Sequence, residues 1–322
     1  MSGINRKSSD KGVGLIMMAD YEVHNITGLE SGFEYISLPK HFSEDALKRY
    51  AERQKRKAVT IAKNWSKEKQ VEWILRNYLS LKMTLASTML LNSAEFSNEN
   101  NLQIVVPYLY YYSLLNTSRA LLFSNPFIEW TQGGLISSSH QNTINQVHNE
   151  LRALSEDVAD SIKKLLLSTK GYRELYSYRF PAKGLERYSS DGEFVIKEEV
   201  AINNARLLTE IAQFNSEIMQ EMCERHIQET FELTNRDLEE GYKYSGYLID
   251  ENENPVDLRD GEDWYRLTYF VRKKYYTPTN LLWIARDGLI EDFFGAWTHD
   301  RFEDDERAFD PDMNINILLS PL

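Results

Sequence analysis

One histidine and one arginine stand where they could do chemistry together. His140 follows Ser139 at the start of a predicted helix, and Arg119 lies in an apolar run twenty-one residues earlier. An imidazole is a general acid or base near neutral pH, and a guanidinium stabilises negative charge on a phosphoryl group. The pair therefore indicates a small-molecule or nucleotide contact. The alternative is structural, with His140 packed against its neighbours at the start of the helix.

A second candidate is a basic helix. Residues 48–65 read KRYAERQKRKAVTIAKNW, and their cations could neutralise several phosphates if they share one face. Arg56, Lys63 and Trp65 could add stacking or cation–π contacts. The segment predicts either a nucleic-acid surface or a solvated face that balances the acidic remainder of the chain. The candidate nucleic-acid ligands are Lys48, Arg49, Arg53, Lys55, Arg56 and Lys57.

Known sequence patterns for metals and cofactors are missing. His140 and His148 are eight residues apart, whereas two histidines that share a metal on one helix prefer a separation of three or four. The glycines near residues 12 and 133 match neither a phosphate loop nor a dinucleotide fingerprint. We therefore predict no metal site and no cofactor.

The composition is that of a globular protein with an acidic charge. The chain has 322 residues, of which 42% are hydrophobic, and its net charge is −12. This charge argues against non-specific nucleic-acid binding by the whole surface, although it permits a local basic patch. We expect no secretory signal and no transmembrane helix. The single cysteine, Cys223, excludes an intrachain disulfide and fits a cytoplasmic protein.

Capping residues and hydrophobic spacing predict a mainly α chain. Ser43 opens a helix to about residue 63, and Ser66 opens another to about residue 91. Leu102–Ser124 is apolar nearly all round, which indicates a buried central helix with Pro107 in its first turn. Further helices are predicted over 141–154, 155–168, 197–233 and 280–294, a strand over 33–38, and two short strands between 243 and 261.

An aromatic run, a Ser–His pair and a later arginine with two tyrosines succeed one another along the chain. They are Tyr110, Tyr111, Tyr112, Arg119, Ala120, Leu121, Leu122, Ser139, His140, Arg173, Tyr176 and Tyr178. Their order and spacing resemble the HEPN superfamily, particularly its stand-alone bacterial members, over about residues 66–223. The resemblance implies an up-and-down helical bundle that self-associates, in a bacterial defence or toxin–antitoxin setting. A looser likeness to the YaaC-like proteins covers more of the chain.

The resemblance also bears on activity. Many HEPN proteins are ribonucleases in which a histidine follows an arginine after four to six residues, and no histidine here has an arginine at that spacing. We therefore expect a protein that acts by binding or assembly. One alternative is a metal-independent ribonuclease that uses Arg119 and His140, with Tyr112 or Ser139 assisting. Another is a structural subunit of a larger complex, with an exposed apolar patch over residues 265–297.

The expected fold class is mainly α, an up-and-down HEPN-like helical bundle with a smaller α+β C-terminal region. Residues 1–40 are predicted to be irregular, residues 41–235 to form the bundle with a HEPN-like core at about 66–230, and residues 236–322 to form the smaller region. The expected partners are a second copy of the chain, another protein, or RNA, and no membrane.

Overall fold

The computed structural model shows a mainly helical protein. It describes residues 21–28, 32–130, 138–182, 184, 196–241, 245–249, 255–257, 261–272, 278–285, 288–297 and 308–318. The predicted irregular segment therefore lies largely outside the described residues. The α-helices are α1 His24–Thr27, α2 Leu38–His41, α3 Glu44–Lys63, α4 Lys67–Glu99, α5 Val106–Ser124, α6 His140–Leu151, α7 Glu156–Glu174, α8 Glu198–His226, α9 Asn235–Gly241, α10 Gly261–Arg272, α11 Leu281–Ala285 and α12 Leu289–Gly295. A π-helix, Leu175–Arg179, continues α7, and a 3₁₀ turn covers Ile315–Ile317.

Serine side chains begin the helices at the predicted positions. The hydroxyl of Ser43 accepts a hydrogen bond from the Ala46 N–H at 3.3 Å, and Ser66 accepts one from the Lys69 N–H at 3.3 Å. Ser155 caps α7 in the same way. Each bond satisfies a backbone N–H that has no partner inside its own helix. The three predicted helix starts are confirmed because a cap is a local signal.

Several predicted helix ends are wrong. The end of α4 was expected near residue 91, but α4 continues to Glu99. Asn92 donates to the Pro311 carbonyl at 3.0 Å, and the ring of Phe96 lies 5.6 Å from that of Phe309. This contact with the C-terminal segment keeps a polar stretch helical. Similarly, α7 extends to Glu174, α8 ends at His226, and the helix predicted over 280–294 is divided into α11 and α12.

The strand predicted over residues 33–38 is also wrong. The backbone bends there and enters the short helix α2. The reason is Glu210, a buried residue of α8 whose carboxylate accepts hydrogen bonds from the N–H groups of Ile36, Ser37 and Leu38 at 2.8–3.1 Å. One distant side chain thereby takes the donors that a neighbouring strand would need.

The long helices pack as a bundle with α5 at its centre. Helix α5 lies along α4 and α8, and α8 also packs on α3. Helices α6 and α7 pack on each other and on α5. The prediction that α5 is a buried helix is confirmed, since Tyr111, Leu115 and Phe123 are among its fully buried residues. The aromatic run thus lies where α6 and α7 meet the bundle.

The C-terminal part docks on α4. The Tyr78 hydroxyl and the Lys82 ammonium both bind the buried carboxylate of Asp263 in α10, the latter at 2.6 Å. Ser245–Ile249 and Pro255–Asp257 form a two-stranded antiparallel sheet. Within the described part of the chain, no helix is both long and apolar enough to cross a membrane.

Candidate functional site

Helix α6 brings His140 to the central helix. Ser139 caps α6 by accepting from the Asn142 N–H at 3.3 Å, which commits its hydroxyl to the helix start. His140 is the first residue of α6, and its Nδ1 lies 2.7 Å from the hydroxyl of Tyr111. The ring of Tyr112 is 6.1 Å from the imidazole, edge-on. Tyr111 therefore orients His140, and of the two predicted assisting residues Tyr112 lies beside the imidazole and Ser139 is the helix cap.

The hydrogen bond between His140 and Tyr111 joins two neutral groups at neutral pH. Burial raises the pKa of Tyr111 to about 12, so its hydroxyl keeps its proton. When Tyr111 donates to Nδ1, the proton of the neutral ring is on Nε2. When Nδ1–H donates to the tyrosine oxygen, Nε2 carries a lone pair. The second nitrogen can thus donate or accept a proton while the first stays anchored.

Three cations act electrostatically on His140. Arg119 lies seven residues beyond Tyr112, on the same side of α5. Its positive charge lowers the pKa of His140 more than any other charged residue does. Helix α7 supplies Lys170 and Arg173, one turn apart. The guanidinium of Arg173 lies 5.4 Å from the centre of the Tyr111 ring, a cation–π contact. The predicted Arg119 thus lies within electrostatic range of His140, and Lys170 and Arg173 are two further cations that the sequence alone did not assign to this cluster.

The cluster carries an excess of positive charge. The carboxylate of Glu174 tends to raise the pKa of His140. It lies 3.6 Å from the Lys170 ammonium and 3.5 Å from the Arg173 guanidinium. Among the causes of the His140 pKa shift, Glu174 is thus set against three cations, in a chain with a net charge of −12. Guanidinium groups recognise phosphate oxygens well because their planar set of N–H donors matches the oxygens. The arrangement suits an anion.

The surroundings keep His140 in its neutral form. Burial, followed by Arg119, Arg173 and Lys170, lowers the pKa of His140 below its usual 6.5, and Glu174 opposes the shift only weakly. The folded state therefore binds the His140 proton less readily than the unfolded chain does. Between the lowered pKa of the folded state and 6.5, the free energy of unfolding rises with pH, and it falls as the pH drops below 6.5. At neutral pH the ring is therefore available as a base.

Removing the positive charge of Arg119 should raise the pKa of His140. In an Arg119→Gln variant we expect the imidazole to titrate at a higher pH than in the wild type, because the uncharged amide no longer opposes protonation. Nuclear magnetic resonance of ¹⁵N-labelled histidine measures both midpoints. Arg152→Gln is the matched control, since Arg152 lies on the surface at the opposite end of α6 and pairs with Glu156. Equal midpoints in all three proteins would contradict the electrostatic account.

The basic helix α3 places its cations in different surroundings. Lys55 is bound to the buried Glu221 at 2.7 Å, and Lys48 pairs with Glu44. Arg53 lies over the Tyr50 ring at 5.5 Å. The other candidate ligands, Arg49, Arg56 and Lys57, have exposed side chains. Lys55 therefore joins α3 to α8, whereas a part of the predicted nucleic-acid surface faces solvent.

Exposed apolar side chains occur at two other places. Leu102, Ile104 and Val105, just before α5, are 48%, 44% and 39% exposed, and they are the open end of the apolar segment 102–123. In the region 265–297, Tyr265 and Trp297 are exposed, while Leu281 and Ile284 are buried. Nothing on either surface defines a partner.

Neither a metal site nor a known relative identifies the function of the His140 cluster. Among the described residues, no three His, Cys, Asp or Glu side chains form a group that could hold a metal ion. No family model, curated protein or solved structure matches the chain. A functional conclusion therefore depends on the geometry of the chain itself.

Proposed function

We propose that this protein binds RNA through its phosphodiester backbone, with the His140 cluster as the central contact. The observation that carries the proposal is His140, anchored by Tyr111 at 2.7 Å and within the electrostatic range of Arg119, Arg173 and Lys170. Guanidinium and ammonium groups supply charge-assisted hydrogen bonds to phosphate oxygens. The second ring nitrogen of His140 supplies a neutral one, while the buried Tyr111 holds the imidazole in place.

A second basic surface favours a polymer over a single nucleotide. The positive charges of Lys57 and Arg53 tend to lower the pKa of Glu150. Because such an effect requires proximity, the middle of α3 lies near the end of α6. Glu150 lies ten residues after His140, a distance of about 15 Å along the helix axis. A polyanion can reach both the His140 cluster and the exposed Arg56, whereas a mononucleotide reaches only one of them. That the polymer is RNA is an expectation from the HEPN resemblance.

Metal-independent RNA cleavage is the second candidate, and the neutral imidazole favours it. His140 would take the proton of a ribose 2′-hydroxyl, whose oxygen attacks the adjacent phosphorus. The P–O5′ bond breaks, and the leaving 5′-oxygen takes a proton from an acid or from water. The products are a 2′,3′-cyclic phosphate and a 5′-hydroxyl. Arg119 and Arg173 would stabilise the charge of the phosphorane.

The test measures binding and cleavage of labelled RNA at low salt with EDTA. We expect the wild type to bind, and an Arg119→Ala/His140→Ala variant to bind about tenfold to 100-fold more weakly, since it loses charge-assisted hydrogen bonds. The control is Arg152→Ala/His226→Ala, which removes the same side-chain types elsewhere. Equal affinity of the two double variants, or no binding by the wild type, would overturn the proposal.

Cleavage is read in the same reactions. Cyclic-phosphate products that appear with the wild type and the control, but not with Arg119→Ala/His140→Ala, would establish a ribonuclease. Intact RNA in every reaction, together with the affinity difference, would limit the His140 cluster to binding. A DNA of the same sequence shows whether the 2′-hydroxyl contributes to affinity.

A further inference from the structure

A large cleft lies beside the His140 cluster. It has a volume of about 1030 Å³ and is formed by α7, the π-helix and the start of α8. Its wall contains cations, hydroxyl groups and apolar side chains, a mixture typical of sites for small polar ligands with a flat apolar part. The residues that matter for its chemistry are Ser161, Lys164, Ser168, Tyr178, Arg179 and Val200.

The cleft adjoins the cluster. Glu174 lines the cleft and also acts on His140. The guanidinium of Arg173 lies 5.4 Å from the Tyr111 ring and 6.0 Å from the ring of Tyr178, which lines the cleft. Imidazole, tyrosine, guanidinium and tyrosine therefore follow one another from the phosphate contact to the cleft.

Tyr178 is the exposed end of this series. It is 76% exposed, although it belongs to a segment with regular backbone hydrogen bonds. The π-helix contributes to this exposure because it has more residues per turn than an α-helix and so rotates the following side chains away from the α-helical stripe. Such segments are frequent at functional sites. A single exposed aromatic residue is ordinary by itself, but this one lies between a cationic cluster and a cleft.

We propose that the cleft receives the base of an unpaired nucleotide whose phosphate is bound at the His140 cluster, with Tyr178 as the stacking surface. The inference rests on the proposed function and adds the state of the substrate. A base inside a duplex is stacked and paired, so it cannot enter the cleft without being extruded. The protein therefore prefers single-stranded RNA to a duplex of the same sequence. Lys164 and Arg179 contact the flanking phosphates.

The experiment compares cleft variants on two RNA probes. The probes are a short labelled single strand and the same strand annealed to its complement, and affinity is measured by fluorescence anisotropy. We expect Tyr178→Ala to weaken single-strand binding about fivefold to 100-fold, in line with the usual contribution of one base–aromatic stack. Tyr178→Phe, which keeps the ring, should bind single-stranded RNA more tightly than Tyr178→Ala. Ser168→Trp, on the exposed face of α7, should weaken binding by filling the cleft.

The controls separate this inference from the proposed function. Tyr265→Ala removes an exposed tyrosine from α10 and should change nothing. Inorganic polyphosphate carries no base, so Tyr178→Ala should not weaken its binding. If wild-type RNA binding depends on Arg119 and His140 but is unaffected by Tyr178→Ala and Ser168→Trp, the cleft inference is wrong and the phosphate site stands. Equal affinity for single strand and duplex also overturns the inference, and no RNA binding overturns both.

Discussion

Replacing Arg76 by methionine is expected to lower the free energy of unfolding by about 3–5 kcal/mol, the usual cost of removing one partner from a buried ion pair. Arg76 lies on α4 and is 1% exposed. Its Nε donates to Glu72 at 2.8 Å, and its terminal nitrogens donate to the carbonyls of Phe123, Asn125 and Ile128. Methionine keeps most of the volume of the side chain but leaves these acceptors without their donor.

Urea unfolding followed by circular dichroism measures this loss. Arg152→Met is the matched control, because Arg152 and its partner Glu156 are both exposed and such pairs contribute at most about 1 kcal/mol. If the two variants unfolded at the same urea concentration, the buried network would not be a main source of stability. The result also bears on function, since Arg76 holds the chain where it leaves α5 on its way to His140.

Replacing Glu210 by alanine is also expected to lower the free energy of unfolding, by about 3–5 kcal/mol. The carboxylate is the acceptor for three consecutive backbone N–H groups, from Ile36 to Leu38. Without it, these donors are buried and lose their acceptor, each at a cost of about 1–3 kcal/mol, which the segment can reduce by shifting toward water. Burial raises the pKa of Glu210, and the backbone donors oppose this shift.

Two measurements check the role of Glu210. Urea unfolding gives the total effect, with Glu224→Ala as the control because Glu224 is an exposed glutamate of the same helix. Hydrogen exchange of the peptide that contains residues 32–42 gives the local effect, and we expect faster exchange only in Glu210→Ala. Unchanged exchange in this peptide would show that another interaction holds the segment on α8.

Local signals in the sequence determined where the helices begin and which of them is central. A serine followed by acidic residues satisfies free N–H groups within one turn, so Ser43, Ser66 and Ser155 act as caps whatever the tertiary structure is. The apolar run of α5 requires burial on every side, and only the centre of a bundle provides it. The sequence also singled out Arg119 and His140, and in the structure the charge of Arg119 lowers the pKa of His140.

Tertiary contacts decided which residues join the candidate site and how residues 33–38 are folded. Tyr111, Arg173 and Lys170 join His140 because α6 and α7 pack on α5, and no spacing along the chain reveals that meeting. The predicted strand over residues 33–38 is replaced by a bend because Glu210, more than 170 positions later, takes its donors. A local pattern determines only the interactions that a segment can satisfy by itself. Charges and hydrogen bonds between distant segments exist only after the chain has folded, and in this protein they form the candidate site.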